Sequence, residues 1–384
     1  MEINSIKDSD RFIRTCEMSI IFPLYGSLFS IAMWSEYGSQ YPFILNILKI
    51  FEYILPFFLL VLFLDSKPTF KLIILYLFLC AISTYSLLVI HDYRFFMFIL
   101  FLFAGRNIGF KRIIKVDLIG KSITFLFIIL SFLVGILPDV TLQRTNGLIR
   151  HSLGFAHPNF LAMSFMLIIL EYFLIRNNEI HVIEIFAILL LSLLINVLSN
   201  GRGAEFVELL MCLLSFITHI IGQKKIIRFI RRRSITILLT MIPSVLSIIS
   251  YWVLLGAISG TQLTLFISSF LSGRLAILQF YYSQVGIHLF PKSIQQVYIN
   301  STFVGMDNTY IYLLVSFGLI SLVIYCIVVG ILIHNSIINN NLTLLLIIIS
   351  LCLLGLVDST NIYPFVGFFV LSYDNYVIKE EKYA

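Results

Sequence analysis

A short polar segment between two long apolar stretches contains the side chains best suited to chemistry. It reads RHSLGFAHPN and includes Arg150, His151, His157 and Asn159. An arginine presents a planar fork of donors that fits phosphate, and it stays charged when partly desolvated. An imidazole can act as a general base, donate a hydrogen bond to phosphate or satisfy a neighbouring carbonyl group. Because the chain is 59% hydrophobic and only 12% charged, this concentration of polar groups indicates a functional loop.

Three further arginines occur in segments of the same kind. Arg144 precedes the motif, Arg202 stands between two glycines in NGRG, and Arg274 ends the sequence SGR. Together with Arg150 they predict a pocket lined by arginines. Such a pocket suits an anionic headgroup, most simply a pyrophosphate carried on a lipid.

Each of these arginines also has a simpler structural explanation. Glu205 and Glu208 lie about one helical turn beyond Arg202, and either could pair with it. Arg144 could be a solvated loop charge. A fifth arginine, Arg94, is expected to extend its charged group to a membrane interface while its stem lies along apolar surface.

A second polar site begins at Asp307 and Asn308, where the chain enters another apolar stretch. A carboxylate there can accept the proton of an incoming hydroxyl if its surroundings are dry enough to raise its pKa. It can equally cap the helix that follows. Helix capping is also the simpler explanation of Asn159, which comes directly after Pro158.

The sequence predicts no bound metal and no cofactor. The histidines and aspartates near these motifs include no pair at metal-ligand spacing on one helix. The five cysteines all lie inside apolar stretches, and no two of them form a CxxC pair. The chain also lacks a Walker loop, a dinucleotide fingerprint and a nucleophile elbow, so neither ATP coupling nor covalent catalysis by serine has support.

A membrane-embedded scaffold is predicted to position these residues. The mean hydropathy is +1.00 over 384 residues. Apolar stretches of roughly 17–25 residues recur along the chain, long enough to cross ~30 Å of hydrocarbon as helix. We therefore predict an all-α, polytopic integral membrane protein in which residues 1–384 form a single transmembrane domain with about twelve spans. The predicted spans are residues 16–34, 43–64, 70–90, 95–104, 119–137, 160–175, 182–198, 204–221, 235–255, 310–333, 342–357 and 362–373.

The distribution of charge predicts the orientation of these spans. If the N-terminus is cytoplasmic, most of the 26 lysines and arginines, including Lys121, fall in cytoplasmic segments. This is the asymmetry that the positive-inside rule requires. Both termini are then cytoplasmic, and Arg144, Arg150, Arg202 and Arg274 are external. Membrane topology thus accounts for the net charge of +6, and no nucleic-acid partner is predicted.

Two segments outside the spans are predicted to lie on the surface of the lipid bilayer. The basic run KKIIRFIRRR at residues 224–233 is expected to contact anionic headgroups. A large external loop, residues 256–308, alternates apolar and polar residues at helical spacing from 265 to 285. This pattern predicts a helix that lies on the outer membrane surface.

Taken in order, the motifs resemble those of the bacterial Wzy-type polysaccharide polymerases and the related O-antigen ligases. The resemblance rests on RHSLGFAHPN, NGRGA, SGR and DNTY, and it covers most of residues 140–325. It implies a GT-C-like, inverting and metal-independent glycosyltransferase in the bacterial plasma (inner) membrane. Such enzymes join oligosaccharide repeat units carried on undecaprenyl pyrophosphate, and their active site is on the external, periplasmic side. The family normally works beside a flippase and a chain-length regulator.

The resemblance also implies roles for the residues. Arg150, Arg202 and Arg274 would bind pyrophosphate and stabilise the charge that develops on the leaving group. Related ligases usually have histidine where this chain has Asp307, which favours a polymerase and leaves Asp307 first and His157 second as the base. The predicted catalytic residues are Asp307, His157 and Arg150. The predicted pyrophosphate- and glycan-binding residues are Arg144, Arg150, His151, Asn159, Arg202, Arg274 and Asn308.

Two other functions compete with the polymerase. One is a ligase that moves a finished glycan to another acceptor. The other is a flippase or transporter of the lipid-linked unit, which should contain paired broken helices and ionisable groups near the membrane midplane. Most ionisable side chains within the predicted spans are expected near span ends, which counts against transport. These side chains are Lys49, Glu52, Glu171, Glu184, Glu205 and Glu208.

Overall fold

The computed structural model describes residues 2–144, 147–262, 274–295, 298–299, 302–303 and 305–372. Within these ranges the secondary structure is helical apart from two short antiparallel strand pairs, so the predicted all-α class is confirmed. The strand pairs are β1 (Leu142–Gln143) with β2 (Ile149–Arg150), and β3 (Tyr298–Ile299) with β4 (Thr302–Phe303).

The helices follow the apolar stretches of the sequence, because a helix satisfies its own backbone polar groups where no water is present. Before β1 they are α1 (Glu2–Phe29), α2 (Tyr37–Gln40), α3 (Pro42–Asp65), α4 (Phe70–Ile90), α5 (Arg94–Ala104) and α6 (Phe110–Leu133). After β2 they are α7 (Pro158–Arg176), α8 (Val182–Ser199), α9 (Arg202–Ile221), α10 (Gln223–Ile230), α11 (Arg233–Thr240), α12 (Ile242–Ile258) and α13 (Arg274–Val285). The remaining α-helices are α14 (Thr309–Tyr312), α15 (Gly318–Ile338) and α16 (Leu342–Leu354).

Within the described ranges, eight helical segments are long and apolar enough to cross a membrane. A ninth span results if α11 and α12, which meet at a bend of 47°, are counted together. The chain is therefore a polytopic, membrane-embedded protein, as predicted. The sequence predicted about twelve spans. Three of the predicted spans do not qualify, because α5 and α16 are shorter apolar helices and residues 362–372 form no α-helix.

Two of these three segments, α5 and residues 362–372, lie in the protein core. α5 buries every residue from Met97 to Ala104, so it is apolar on all sides because protein surrounds it. The last predicted span instead consists of two 3-10 turns, Thr360–Ile362 and Phe368–Ser372. Pro364 lies between them and cannot donate a helical hydrogen bond. Such irregular backbone is tolerated at membrane depth only inside protein, and Phe365 in this segment is fully buried.

The predicted external loop at residues 256–308 is described in part. Helix α13 occupies the second half of the predicted surface helix, while residues 265–273 lie outside the described residues. One face of α13, formed by Leu275, Leu278 and Tyr281, is buried, and the helix packs against α12. This packing places Arg274 at the start of a helix that is docked on the membrane-spanning body.

Three ionisable side chains meet inside the helical assembly. Because α6 begins at Phe110, nine residues before the predicted span, Lys121 lies half-way along this helix and not at the cytoplasmic end to which the charge distribution assigned it. Its Nζ forms ion pairs with Asp117 Oδ2, at 2.7 Å, and with Glu171 Oε1. It also donates a hydrogen bond to the carbonyl oxygen of Phe365 at 2.9 Å. All three charged side chains are buried.

We expect Lys121→Met to destabilise the protein strongly. The substitution leaves two buried carboxyl groups without their cation, which costs about 3–5 kcal/mol. The thermal unfolding midpoint in detergent should fall, whereas Lys111→Met, an exposed lysine in the first turn of the same helix, should leave it nearly unchanged. Replacing Lys121, Asp117 and Glu171 together by apolar residues should recover most of the loss. Equal midpoints for the two single variants would contradict this role of Lys121.

Candidate active site

A cavity of about 650 Å³ opens where helices begin and end on one side of the assembly. α1, α4 and α16 end beside it, and α5, α7 and α14 begin beside it. Its wall includes three residues predicted from the sequence, His157, Asn159 and Asp307, together with Arg94 and Asp358. Two motifs that are far apart in the chain therefore face the same cavity.

Arg150 is buried next to this wall and holds the polar loop in place. Its Nε donates to the carbonyl oxygen of Ser199 at 2.7 Å, and its Nη2 donates to Asn159 Oδ1. Gly154 turns the loop with a φ of 88°, and a Cβ at this position would lie 3.1 Å from the carbonyl oxygen of Ile128. Glycine is required there because it adopts positive φ without strain and permits this close approach to α6.

His157, and not Asn159 as predicted, caps α7. Its Nδ1 accepts a hydrogen bond from the backbone N–H of Asn159 at 3.0 Å. Burial and the charges of Arg150 and Arg274 lower the pKa of His157 to about 4, so the ring is neutral at pH 7. The proton of the neutral ring then resides on Nε2. His157 therefore offers a hydrogen-bond donor and lacks the free lone pair that a general base needs.

Asp307 in the cavity wall pairs with Arg274. Its Oδ2 lies 3.2 Å from Arg274 Nε, and Arg274 Nη1 also donates to the carbonyl oxygen of Val357. Burial by the surrounding protein raises the pKa of Asp307 to about 6, a rise that Arg274 opposes and Asp358 reinforces. The side chain is 41% exposed where it lines the cavity, so a ligand can reach it. Helix capping does not explain Asp307, because Asn308 caps α14.

The four predicted arginines converge from three separate segments of the chain. Burial and the charges of Arg144, Arg274 and Arg202 lower the pKa of Arg150 to about 10. Burial and the charges of Arg202 and Arg274 also lower the pKa of Arg144. Among the residues that the structure describes, Arg274 alone of the four has a carboxylate partner. This concentration of positive charge is unfavourable by itself and becomes favourable when an anion binds.

The strand pair and the start of α9 position the two outer members of this group. Arg144 follows β1, and its Nη2 donates to the carbonyl oxygen of Asn200 at 2.8 Å. Arg202 is exposed at the first residue of α9. Within the described ranges no close ion-pair contact joins it to Glu205 or Glu208, although its charge acts on the carboxylate of Glu205.

His151 pairs with Asp139 and does not line the cavity. Its Nδ1 lies 2.6 Å from Asp139 Oδ2, and the same carboxylate accepts hydrogen bonds from the backbone N–H groups of Ser152 and Leu153. Because a carboxylate only accepts, the proton of the neutral ring is on Nδ1 and the lone pair is on Nε2. The side chain of His151 is 41% exposed.

Asn308 is buried, and its side-chain amide makes hydrogen bonds that stabilise the fold. Its Oδ1 accepts from the backbone N–H of Ile311 at 2.9 Å, while its Nδ2 donates to Ser250 Oγ at 3.1 Å and to the carbonyl oxygen of Leu356 at 3.0 Å. These bonds tie the start of α14 to α12 and to the segment after α16. Both amide protons are thus engaged, which leaves little capacity for the ligand-binding role predicted for Asn308.

Arg94 belongs to the cavity wall, where it pairs with Asp92. Its Nη2 lies 2.6 Å from Asp92 Oδ2, and its guanidinium stacks 4.2 Å from the centre of the Tyr312 ring. Burial by itself would raise the pKa of Asp92. The charge of Arg94 and a hydrogen bond from Tyr312 outweigh this effect, so the pKa lies below its ordinary value. Asp92 and Arg94 are two residues apart, so their ion pair could have been predicted from the sequence. The contact with Tyr312 could not, because Tyr312 is far away in the chain.

Neither metal ligands nor known relatives identify this site. No group of three or more histidine, cysteine, aspartate or glutamate side chains within the described residues is arranged to hold a metal ion. No protein-family model, curated protein or solved structure matches the chain. The resemblance to Wzy-type polymerases therefore stays a prediction.

We expect Gly201→Ala to disturb the position of Arg202. A Cβ at residue 201 would overlap the Cβ of Ala162 on α7, whereas one at Gly203 would meet the ends of two side chains, Leu354 Cδ1 at 3.1 Å and Val357 Cγ2 at 3.5 Å. Overpacking of this kind costs about 1–3 kcal/mol. The unfolding midpoint in detergent should fall more for Gly201→Ala than for Gly203→Ala, and adding Ala162→Gly should restore it. A double variant no more stable than Gly201→Ala would contradict the proposed contact.

Proposed function

We propose that the protein is a polymerase of lipid-linked oligosaccharide repeat units, with the GT-C-like fold that its motifs resemble. The observation that carries this proposal is the convergence of Arg144, Arg150, Arg202 and Arg274. The sequence predicted a pocket lined by these arginines; among the described residues none of the four lines the cavity itself, but Arg150 and Arg274 contact Asn159 and Asp307 in its wall. The arginines suit a pyrophosphate, and the carboxylate suits an acceptor hydroxyl. Together they match the two reacting ends of a glycosyl transfer from undecaprenyl pyrophosphate.

The electrostatics support binding of a polyanion at this site. The four guanidinium groups are close enough for their charges to act on one another, and among the described residues they have one carboxylate partner. A pyrophosphate accepts bidentate hydrogen bonds from several arginines and removes their mutual repulsion. In the reaction the same donors stabilise the negative charge that grows on the leaving pyrophosphate, which is the larger catalytic contribution in most such sites.

Asp307 supplies the base in this proposal. The acceptor hydroxyl oxygen attacks the anomeric carbon of the donor sugar, and the bond from that carbon to the pyrophosphate oxygen breaks. The hydroxyl proton passes to Asp307, and undecaprenyl pyrophosphate leaves with the bonding electrons. A pKa of about 6 keeps the carboxylate ionised at pH 7 while making it a better base than an ordinary aspartate. His157 contributes a neutral N–H donor in the cavity wall.

The cavity also suits a sugar. Its volume of about 650 Å³ lies within the range of small-molecule sites. Trp34 and Phe160 stack 5.4 Å apart in its wall, with Tyr363 nearby, and such rings pack against the C–H faces of a sugar ring. Asp92 and Asp358 add acceptors for hydroxyl groups. Apolar rings with a few placed polar groups are the usual composition of such a pocket.

A transporter of the lipid-linked unit is the second candidate, and the cluster of Asp117, Lys121 and Glu171 favours it. Two carboxylates and one ammonium group are buried in α6 and α7, so the cluster is neutral only when one carboxyl group holds a proton. Ionisable groups within membrane spans frequently serve as proton sites in transporters. The same cluster also has a structural role, because it binds the backbone of Phe365. A ligase remains the third candidate, on the same site chemistry.

The surface glycan of cells that lack the protein separates these functions. Single repeat units outside the cell without a ladder of longer chains are expected for a polymerase. Long chains that stay on their lipid would indicate a ligase, and units trapped on the cytoplasmic face would indicate a transporter.

Complementation with Arg150→Lys tests the site in the same cells. Lysine keeps the charge but cannot donate to Ser199 and Asn159 in the geometry of the guanidinium fork. We expect roughly 10²-fold less polymer, while Arg112→Lys, an exposed arginine in the first turn of α6, should complement fully. Normal polymer from a correctly inserted Arg150→Lys protein would exclude this fork from catalysis.

The pKa of Asp307 predicts a pH dependence. A base must be ionised, so polymer formation by the purified protein should fall as the pH drops through about 6 and should be constant above it. Asp307→Asn should lower the rate by roughly 10²–10⁴-fold. Asp307→His should retain activity, because an imidazole can take the same proton. As a control, Asp10→Asn changes a carboxylate paired with Lys67 and should preserve the profile. An unchanged profile in active Asp307→Asn protein would rule out Asp307 as the base.

A further inference from the structure

A second concentration of positive charge lies on α10 and the residues that follow it. Within the described residues none of its cations forms an ion pair with a carboxylate, and residues 223–233 contain no acidic side chain. Arg231 reaches only the amide oxygen of Asn340, at 3.4 Å, and Arg232 stacks over Phe229 at 5.2 Å. All of these cations are exposed. They are Lys224, Lys225, Arg228, Arg231, Arg232 and Arg233.

The apolar face of α10 is already occupied by the protein. Ile226, Ile227 and Ile230 pack against the core, and Ile227 and Ile230 share a small cavity with Leu342 and Leu345 of α16. The helix is therefore docked on the protein, and its apolar face is not available for insertion into lipid. Lys224, Lys225 and Arg228 share the outer face because residues four apart on a helix point the same way.

This basic surface lies at the membrane face opposite the arginine cluster. α10 connects the end of α9 at Ile221 with α11, which begins at Arg233, and both neighbouring helices belong to membrane spans. Arg202 of the arginine cluster is the first residue of α9. A helix of this length measures roughly 30 Å, about the thickness of the hydrocarbon core. The two concentrations of charge are thus separated by the bilayer.

We propose that α10 and Arg231–Arg233 form a binding site for the phosphate groups of anionic phospholipids in the leaflet opposite the candidate active site. The site is at headgroup level because it joins two membrane spans. Its cations lack acidic partners and are held by a docked helix, so little freedom is lost when a headgroup binds. Phe229 on the same helix is 54% exposed and can contact the upper acyl chain. This inference does not depend on the proposed function.

Positive-inside topology alone would not require this arrangement. A topology signal needs lysines and arginines near span ends, and a disordered loop provides it as well as a helix does. Here packing of three isoleucines fixes the cations on one surface. Cations in fixed positions can form a binding site for headgroups, whereas cations on a disordered loop give only a general electrostatic attraction.

The test uses the full chain in detergent, titrated with phosphatidylglycerol or phosphatidylcholine and followed by native mass spectrometry and by the unfolding midpoint. Phosphatidylglycerol should bind and raise the midpoint, since a ligand of the folded state stabilises it, and added salt should weaken the effect. Phosphatidylcholine should do neither. In Lys224→Gln/Lys225→Gln/Arg228→Gln, binding of phosphatidylglycerol should weaken roughly tenfold or more.

A matched variant separates this surface from general charge. Lys111→Gln/Arg112→Gln/Lys115→Gln removes three exposed cations from the start of α6 and should leave binding nearly unchanged. Lys224→Arg/Lys225→Arg, which keeps the charge, should bind as the native chain does. Equal losses in both glutamine variants, or no preference of the native chain for phosphatidylglycerol, would overturn the proposal. Preferential binding of a short RNA over phosphatidylglycerol would overturn it as well.

Discussion

The candidate site depends on one buried interaction, in which the ammonium group of Lys121 is held by Asp117, Glu171 and the carbonyl oxygen of Phe365. A charged group inside hydrocarbon is unfavourable unless its partners are in place, so α6, α7 and the irregular segment after α16 must come together. That segment carries Asp358 and Tyr363 on the cavity wall, while α7 begins at the polar loop. The cluster thereby fixes the distance between the two halves of the cavity.

The site is arranged for negative charge in its ligand. Arg150 is held by Ser199 and Asn159, and burial together with the like charges nearby lowers its pKa. Burial and the charges of Arg150 and Arg274 also lower the pKa of His157, which keeps its ring neutral. Asp307 is surrounded by enough protein to raise its pKa in spite of Arg274. Burial therefore acts on all three groups, and the charges of the arginines add to its effect on Arg150 and His157 but oppose it at Asp307.

Charge is used differently at the two membrane faces. In the arginine cluster, Arg150 is buried, Arg202 is exposed, and the charges lie close enough to act on one another, an arrangement that would suit the compact polyanion of the proposed function. On α10 the cations are exposed and spread over a helix surface, which suits several headgroups in a plane. α9 connects the two faces, with Arg202 at one end and Ile221 near the other surface. Its length keeps the two anion sites in separate leaflets.

The sequence by itself determined the all-α membrane class, most helix positions, and the set of arginines, because apolar runs and misplaced charges are local signals. Tertiary structure decided what those residues contact. The sequence places Lys121 at the cytoplasmic end of a span, whereas in the structure α6 begins at Phe110 and Lys121 lies half-way along it. The sequence also predicts a span at residues 362–373, whereas residues 362–372 form no α-helix and include Pro364. Likewise, His157 caps α7 while the Asn159 side chain accepts a hydrogen bond from Arg150. Such competition between partners is set by three-dimensional packing, and no spacing along the chain encodes it.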